Sequence, residues 1–416
     1  MGDAVMSGGV GGPLAGVRVI DFTWAWAGPY GAMLLSLLGA DVVKIESRSR
    51  MDQARIGSIV LGQSKGNHNQ QPMFAELNLG KRSIAMNLKA PGAAEVVKDL
   101  YATADAVIDN FRPGTLEKLG IGFDVMRAIR PDHILVEASA LGADGPERSY
   151  GGYAPTFAAL AGLVSLTGDP GADPMMIGGT VDLRVGTGAA LALLAALHYR
   201  DRTGRGMWVD HSACESVSML IGDALLAAQM RPPASPTDEP ERFGNGHRAF
   251  APHGLYVCAG DESGIAIACR SDADWEALLG VSGLALGEDP RFATGLSRWK
   301  HREALDAAIG EWTATQEAEA LAGRLQAAGV AASVSRDATA LYEWEHFQAR
   351  GGPVAIDPPE WERRLIVPPP WHFSRTPASI PGPSPALGAD NHAALRDLLG
   401  YDEGRIAALE ENGALE

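Results

Sequence analysis

Short apolar runs and stretches of helical spacing alternate along the first 230 residues. Residues 17–22 and 41–46 are rich in β-branched and apolar residues and predict strands, while residues 27–39 place apolar side chains at helical spacing and end at a glycine. Strand, helix and strand in this order form a βαβ unit, which predicts parallel pairing. The alternation continues with helices at 92–104, 116–129 and 214–230 and strands at 106–109, 133–138 and 207–211. We therefore predict an α/β fold with a doubly wound, Rossmann-like sheet.

The pattern changes after residue 230. Residues 231–244 begin with a proline-rich stretch that has no periodic apolar pattern, which predicts a linker. Two apolar runs on either side of a Gly-Asp-Glu-Ser turn then predict a hairpin, and helical spacing follows, so residues 245–335 are expected to form a smaller α+β domain. Residues 340–416 are expected to return and complete the large domain, residues 1–230.

The composition is that of an ordinary globular protein, with 416 residues of which 46% are hydrophobic and 21% charged. A net charge of −16 argues against nucleic acid and anionic membranes as partners. The three cysteines form no C-x-x-C motif, so we expect a reducing, cytoplasmic location and no metal site. The N-terminus lacks the features of a signal peptide, and the apolar run 185–197 is too short to span a bilayer, so it predicts a buried core helix.

Residues 41–90 carry a local excess of positive charge. Eight Lys or Arg residues stand against four Asp or Glu residues there, a local charge of +4 in an acidic protein. Such a run is compatible with a solvated face or with a binding surface for a small polyphosphate ligand.

One carboxylate, Asp182, follows glycines and directly precedes a long apolar helix. The dipole at a helix N-terminus favours the ionised form of a carboxylate, which is the nucleophilic form. Aspartate is also a preferred N-cap residue, so Asp182 is predicted either to carry chemistry or only to cap its helix.

Several common motifs are missing from the sequence. No G-x-G-x-x-G follows a predicted strand, and neither a phosphate-binding P-loop nor an H-E-x-x-H zinc motif occurs. Residues 62–66 match the G-x-S-x-G nucleophile elbow around Ser64, which keeps a serine acyl hydrolase as an alternative. That motif needs a helix directly after it, and the following residues 67–72 have the character of a loop.

Five segments resemble those of the family III CoA-transferases, which include formyl-CoA and carnitine CoA-transferases. They occur in the family's order and are residues 21–29, 38–46, 78–83, 109–114 and 200–206. The string Trp-Ala-Trp-Ala-Gly-Pro in the first segment is similar to subunits of benzylsuccinate-type aryl CoA-transferases.

The resemblance implies that CoA moves from an acyl-CoA thioester to a free carboxylic acid through an anhydride and then a CoA thioester on Asp182. Implied CoA contacts are Ala25, Trp26, Asn78, Leu79, Gly80, Lys81, Asn110, Phe111, Arg112, Lys118, Leu141, Gly142 and Ala143. Arg48 is expected to bind CoA phosphates, because Ser47 stands where the family has an arginine. Residues implied for the substrate or for a lid are Trp24, Tyr153, Gly244, Asn245 and Gly246.

The resemblance also implies an interlocked homodimer, or a heteromer with a related subunit. The related α-methylacyl-CoA racemases are an alternative, but Gly152 and Tyr153 stand where those enzymes have a histidine and an aspartate. A non-catalytic CoA-binding subunit is a further alternative. The indole of Trp26 favours a bulky apolar or aromatic acyl group, unless this residue packs in the core.

Overall fold

The computed structural model describes residues 11–60, 67–230, 242–260, 263–358, 360 and 362–416. Ser64 with its G-x-S-x-G motif and residues 231–241 of the predicted linker lie outside these residues. The described residues divide into two compact units. The larger draws on Met1–Val164, Met176–Pro233 and Gly351–Glu416, and the smaller on Ser165–Met175 and Ala234–Arg350.

A parallel sheet of six described strands organises the larger unit, in the order β3-β2-β1-β4-β5-β6. Its strands are β1 Arg18–Asp21, β2 Asp41–Glu46, β3 Arg82–Ala85, β4 Ala106–Asp109, β5 Ile134–Glu137 and β6 Met207–Asp210. The order reverses between β1 and β4, and open α/β sheets bind ligands at the carboxyl ends of the strands beside such a reversal. The prediction of a doubly wound α/β fold is confirmed.

Helices cover both faces of this sheet. They are α1 Ala27–Leu37, α2 Gln53–Val60, α3 Pro72–Leu77, α4 Ala93–Thr103, α5 Thr115–Lys118, α6 Phe123–Ile129, α7 Ala154–Leu160, α8 Gly179–Thr203, α9 Ala213–Ser218 and α10 Gly222–Met230. One apolar core lies between the sheet and α4, and another lies between the sheet and the pair α1 and α8. The predicted helix 116–129 is broken into α5 and α6, because Gly120 adopts a φ of 73° that no continuous helix accommodates.

The contact between α1 and α8 is close enough to exclude side chains. A Cβ atom on Gly186 would lie 2.3 Å from the carbonyl oxygen of Ala27, and one on Gly31 would lie 2.7 Å from the carbonyl oxygen of Gly186. By length and hydropathy α8 could cross a membrane, but its buried residues pack in the core, as the sequence predicts for 185–197. A short link joins the end of α8 to the start of β6, so α8 begins at the carboxyl edge of the sheet.

The smaller unit contains a three-stranded antiparallel sheet and helices. Its elements are β7 His253–Val257, β8 Gly264–Ala268, α11 Asp272–Ser282, α12 Gly295–Lys300, α13 Arg302–Thr313, α14 Ala318–Ala327, β9 Ala331–Val334, α15 Ala338–Glu343 and α16 Glu345–Ala349. Residues 165–175 belong here because Arg242 donates to the carbonyl of Ala172 and the N–H of Gly244 donates to that of Gly168. Residues 165–175 were expected in the large domain and the small domain was expected to end at 335, whereas this unit includes 165–175 and reaches Arg350.

The last part of the chain returns to the larger unit. It forms β10 Val354–Ile356, β11 Arg364–Ile366, α17 Asn391–Leu399 and α18 Glu403–Glu411. The side chain of Asn391 accepts a hydrogen bond from the N–H of Ala85 in β3, and the N–H of Glu416 donates to the carbonyl of Ala85. The return segment therefore supplies the hydrogen-bond partners of the main chain at the end of β3.

Candidate active site

Asp182 lies in the first turn of α8 at the carboxyl edge of the sheet. The helix begins at Gly179 and its N-cap is Gly178, so Asp182 is three residues inside the helix and does not cap it. Its half-buried carboxylate has no hydrogen bond or ion pair with any residue in the described part of the chain. Burial raises the pKa of Asp182 from 3.8 to about 6. The interpretation of Asp182 as an N-cap is therefore wrong, because Gly178 holds that position.

Trp26 borders the same face of α8. A Cβ atom on Gly179 would lie 3.0 Å from Cζ2 of the indole, so the ring rests against the first turn of the helix. Residues three apart in a helix share a face, which places the Asp182 side chain on the side of Gly179 that Trp26 covers. The indole is 37% exposed, so it lines a surface and does not pack in the core.

Buried apolar side chains pack around the first turns of α8. Ala27, Val181 and Val185 belong to one buried cluster with Ala154 and Phe157 of α7. No hydrogen-bond donor reaches Asp182 from these residues, which accounts for the raised pKa of its carboxyl group. A nucleophilic carboxylate that lacks partners is weakly solvated, and weak solvation favours its attack on an electrophile.

The loop after β1 is joined to the loop after β4 by an amide pair. The N–H of Trp24 donates to Oδ1 of Asn110 at 3.0 Å, and Nδ2 of Asn110 donates to the carbonyl of Trp24 at 2.9 Å. The Phe111 ring lies 6.3 Å from the Trp24 ring, edge to face. The structure thus brings Trp24, Asn110 and Phe111 together at the strand-order reversal.

Exposed cations surround this edge. Arg48 and Arg112 are exposed, and so is Lys118 at the end of α5. One Nη of Arg48 donates to the carbonyl of Leu387 at 3.3 Å, which leaves other donors of its guanidinium for a ligand. Arg112 lies against Gly151, where a Cβ atom would lie 2.8 Å from its Nη2. These side chains are suitable phosphate-binding groups by charge and exposure.

Lys81 has a structural environment that corrects its assignment as a CoA contact. Its side chain is fully buried, and its ammonium donates to Oδ2 of Asp21, the carbonyl of Pro29 and Oδ1 of Asn78 at 2.8–2.9 Å. Burial raises the pKa of Asp21, but Lys81 and Lys44 outweigh burial and hold it below its usual value, so the pair is ionised. All three ammonium donors of Lys81 are used, and none is left for a phosphate.

The rest of the 78–81 turn is also packed. Asn78 and Leu79 are buried, and the Asn78 amide donates to the carbonyl of Phe74. Gly80 has a φ of 69°, and a Cβ atom on it would lie 2.7 Å from Pro381. The side chains of this turn are packed inside the protein, so a contact with the CoA nucleotide would have to come from the main chain, and this assignment stays a prediction.

The loop after β5 contains Leu141, Gly142 and Ala143 at the carboxyl edge. Gly142 has a φ of 91°, and the N–H of Ala143 donates to the carboxylate of Asp210 at 2.9 Å. Tyr153, at the N-cap of α7, is 55% exposed and its hydroxyl accepts a hydrogen bond from Gln53 at 2.7 Å.

The predicted lid residues lie in the smaller unit. Gly244 has a φ of 54°, and the N–H of Gly246 donates to the carbonyl of Phe243 at 2.7 Å, which makes Gly244, Asn245 and Gly246 part of a tight turn. A turn of this kind is compact, and its role as a lid stays a prediction.

Three residues of the site were missed by sequence reasoning. Arg50 is exposed and its guanidinium lies 4.6 Å from the Trp24 ring, a cation–π contact at the edge of the site. Asp52 accepts the N–H of Ala25 at 2.9 Å. Asp109 ends β4, and burial together with Glu137 raises its pKa to about 8. Arg50 belongs to the basic run in the sequence, but nothing in the sequence distinguished it from buried members such as Lys44.

Comparisons with known proteins identify the family of this chain. CoA-transferase family III matches residues 14–391. Succinyl-CoA–D-citramalate CoA-transferase from Chloroflexus aurantiacus is 33% identical over 403 residues, covering 96% of this chain and 97% of that protein. The beta subunit of succinyl-CoA–L-malate CoA-transferase from the same organism is 32% identical over 401 residues, covering 95% and 96%.

A solved structure shows the same fold. The crystal structure of a CaiB/BaiF family protein from Brucella suis aligns with a TM-score of 0.81 and 29% identity, covering 93% of this chain and 100% of that one. Within the described residues no cluster of three or more potential metal ligands occurs. The resemblance seen in the sequence is confirmed. This chain belongs to CoA-transferase family III, enzymes that act on acyl-CoA thioesters and acids.

Proposed function

We propose that this enzyme transfers CoA from an acyl-CoA thioester to a free carboxylic acid with Asp182 as the covalent nucleophile. The observation that carries the proposal is the partnerless, half-buried carboxylate of Asp182 at the start of α8. It lies at the edge of the sheet where ligands of α/β proteins bind. At neutral pH a group with a pKa of about 6 is mostly ionised and yet basic enough to attack a thioester.

The reaction balances without an added proton or oxidant. An oxygen of Asp182 attacks the thioester carbonyl, the C–S bond breaks, and the CoA thiolate leaves with the electron pair. The thiolate then attacks the Asp182 carbonyl carbon of the mixed anhydride and expels the donor acid as a carboxylate. The acceptor carboxylate attacks the resulting Asp182 thioester and expels the thiolate, which attacks the acyl carbonyl of the second anhydride. Asp182 and the new acyl-CoA are released.

CoA is proposed to lie along the loops that follow β1, β2, β4 and β5. Support comes from the exposed cations Arg48, Arg50 and Arg112 around these loops and from the Trp24–Asn110 amide pair between two of them. The phosphates would contact the cations, and the thioester would reach Asp182 past Trp26. Lys81 has no part in this arrangement.

The acceptor acid is proposed to be bulky and apolar, because Trp26 presents an exposed indole beside Asp182. The names of two relatives give succinyl-CoA with D-citramalate or L-malate, which defines the competing class of small, polar dicarboxylic acids. Incubation of the enzyme with a panel of acyl-CoAs and both classes of acid, followed by mass spectrometry of the CoA products, decides between them. A higher kcat/KM for the small dicarboxylic acids would contradict the proposed class.

The active form is proposed to be a homodimer. Helix α10 contributes no buried residue, and Leu226 and Met230 on it are 63% and 85% exposed. Apolar exposure on this scale supports a protein–protein interface. Light scattering of the purified chain together with its activity tests this proposal, since an active monomer contradicts it. Inactivity that a related subunit restores favours a heteromer instead, as the beta-subunit name of one relative suggests.

The nucleophile is tested by trapping during turnover. Hydroxylamine added with acyl-CoA should convert Asp182 to a hydroxamate, which peptide mass spectrometry locates. Asp182→Asn should bind acyl-CoA but lose transfer by several orders of magnitude. Asp124→Asn is the matched control, because Asp124 is an exposed aspartate in the first turn of another helix. Trapping at another residue, or full activity of Asp182→Asn, contradicts the mechanism.

A further inference from the structure

The loop between β1 and α1 is held by side chains from several neighbouring strands. Its backbone contacts are Thr23 N–H to Asp21 Oδ1, Lys44 Nζ to the Thr23 carbonyl, the Trp24 amide pair with Asn110, and Ala25 N–H to Asp52 Oδ1. Most of these side chains are buried. A surface loop with so many long-range contacts is fixed in one conformation.

Within this loop, Ala25 has an unfavourable backbone conformation. Its φ is 65°, and among the described residues it is the one non-glycine residue in the left-handed region. This region is disfavoured for residues with a Cβ atom, and it persists only where the surroundings impose it. Ala25 directly precedes Trp26, so the direction in which the indole leaves the loop depends on this one backbone conformation.

Asp52 is the residue whose side chain bonds to the main chain of Ala25. Oδ1 of Asp52 accepts the N–H of Ala25 at 2.9 Å and the N–H of Ala54 at 2.9 Å. Oδ2 lies 3.4 Å from Nζ of Lys44, and Lys44 in turn donates to the carbonyl of Thr23. Asp52 is 5% exposed, so water does not replace it readily. Its carboxylate therefore secures the loop both directly at Ala25 and through Lys44.

We infer that Asp52 is a positioning residue of the transfer reaction. It keeps Ala25 in the left-handed conformation, and this conformation lays the Trp26 indole against Gly179 beside Asp182. Asp52 itself touches neither the substrate nor the reacting atoms. The inference rests on the proposed function, because it assigns a purpose to the placement of Trp26 only if Asp182 is the nucleophile.

The test compares Asp52→Ala with Asp52→Asn, which keeps an oxygen acceptor for the N–H of Ala25. A misplacement of about 1 Å near the reacting atoms lowers turnover roughly 100-fold. We expect Asp52→Ala to lower kcat by about 10–100-fold on this basis. Asp52→Asn should retain most of the kcat, because its side-chain oxygen accepts the same hydrogen bond.

A second substitution tests the role of the Ala25 conformation. Glycine adopts a positive φ without the penalty of a Cβ atom, so adding Ala25→Gly to Asp52→Ala should restore part of the lost kcat. If Asp52 supported only the fold, adding Ala25→Gly would not restore kcat. Asp41→Ala is the matched control, since Asp41 is an ion-paired aspartate at the opposite end of β2. It should lower stability with little change in kcat.

The outcomes separate this inference from the proposed function. If Asp52→Ala does not fold, Asp52→Ser takes its place, because the shorter serine side chain does not bring its hydroxyl oxygen within hydrogen-bond distance of the Ala25 N–H. An unchanged kcat in the folded Asp52 variant, or no recovery with Ala25→Gly, overturns the inference. Full activity of Asp182→Asn overturns the proposed function. An inactive Asp182→Asn beside a fully active Asp52→Ala refutes the positioning role alone.

Discussion

Asp182→Asn should make the protein more stable at neutral pH. Burial raises the pKa of this carboxyl group from 3.8 to about 6 in the folded state, and no partner offsets the cost of its charge. The shift of roughly 2 units corresponds to about 3 kcal/mol at 1.36 kcal/mol per unit. Solvent screening of a half-buried group reduces this figure to about 1–2 kcal/mol. Asparagine carries no charge and escapes this cost.

The sign follows from proton binding. Between pH 3.8 and about 6 the folded state binds more protons at Asp182 than the unfolded state, so stability falls as pH rises through this range. Above pH 6 the full cost is present, and below pH 3.8 it is absent. The stability difference between Asp182→Asn and the wild type should therefore be largest near pH 7.5 and should shrink by more than half near pH 4.5.

Urea unfolding at these two pH values measures the difference. The control is Asp124→Asn, which removes an exposed first-turn aspartate and should cost about 0.3–1 kcal/mol at neutral pH, because the helix dipole favours that charge. Opposite signs for the two variants are the expected result. An Asp182→Asn variant that is less stable than the wild type at pH 7.5 would refute the argument that this carboxylate is held at a cost.

Four further predictions concern the site and the residues around it. The kcat/KM for acyl-CoA should rise with pH through about 6 as Asp182 ionises, and a profile that is flat between pH 5 and 8 would contradict this. Arg48→Glu should raise the KM for acyl-CoA and leave kcat unchanged. Lys81→Met should lower the free energy of unfolding by about 3–5 kcal/mol, because it leaves the Asp21 carboxylate buried without its partner. A KM effect for Lys81→Met with unchanged unfolding would show that Lys81 binds CoA. Trp26→Gln should shift preference from bulky to small polar acids by about 10–200-fold, and equal kcat/KM ratios for the two classes in both proteins would rule out contact with the acid.

The sequence predicted the sheet well where strands are continuous apolar runs. β1, β2, β4, β5 and β6 each lie within a predicted strand, because an apolar run between helical stretches is a local signal. β3 was missed, since Arg82-Ser-Ile-Ala has neither a continuous apolar run nor a clear turn before it. Its neighbours are supplied from far along the chain, by β2 and by the return segment.

At the site too, the sequence predicts features that depend on neighbouring residues and misses those that depend on residues far away in the chain. The glycines and the apolar helix around Asp182 mark it as a candidate in the sequence, and the family resemblance implies its catalytic role. Its position inside the helix was not foreseen, because Gly178 and Gly179 are poor helix formers and the packing of α8 on α1 extends the helix to Gly179. The burial of Lys81 depends on Asp21, 60 residues away, and no local pattern distinguishes it from an exposed lysine such as Lys118.

The glycine crossing between α1 and α8 joins the two helices that carry the proposed acyl site. Trp26 directly precedes α1 and Asp182 lies in the first turn of α8, so the proposed acyl-contacting indole and the proposed nucleophile belong to two helices whose main chains touch at Gly31 and Gly186. Neither helix can move towards the other, and separating them would open the core beneath. We therefore expect a new acid preference to come from changes in the side chains around Asp182, with the two helices left in place.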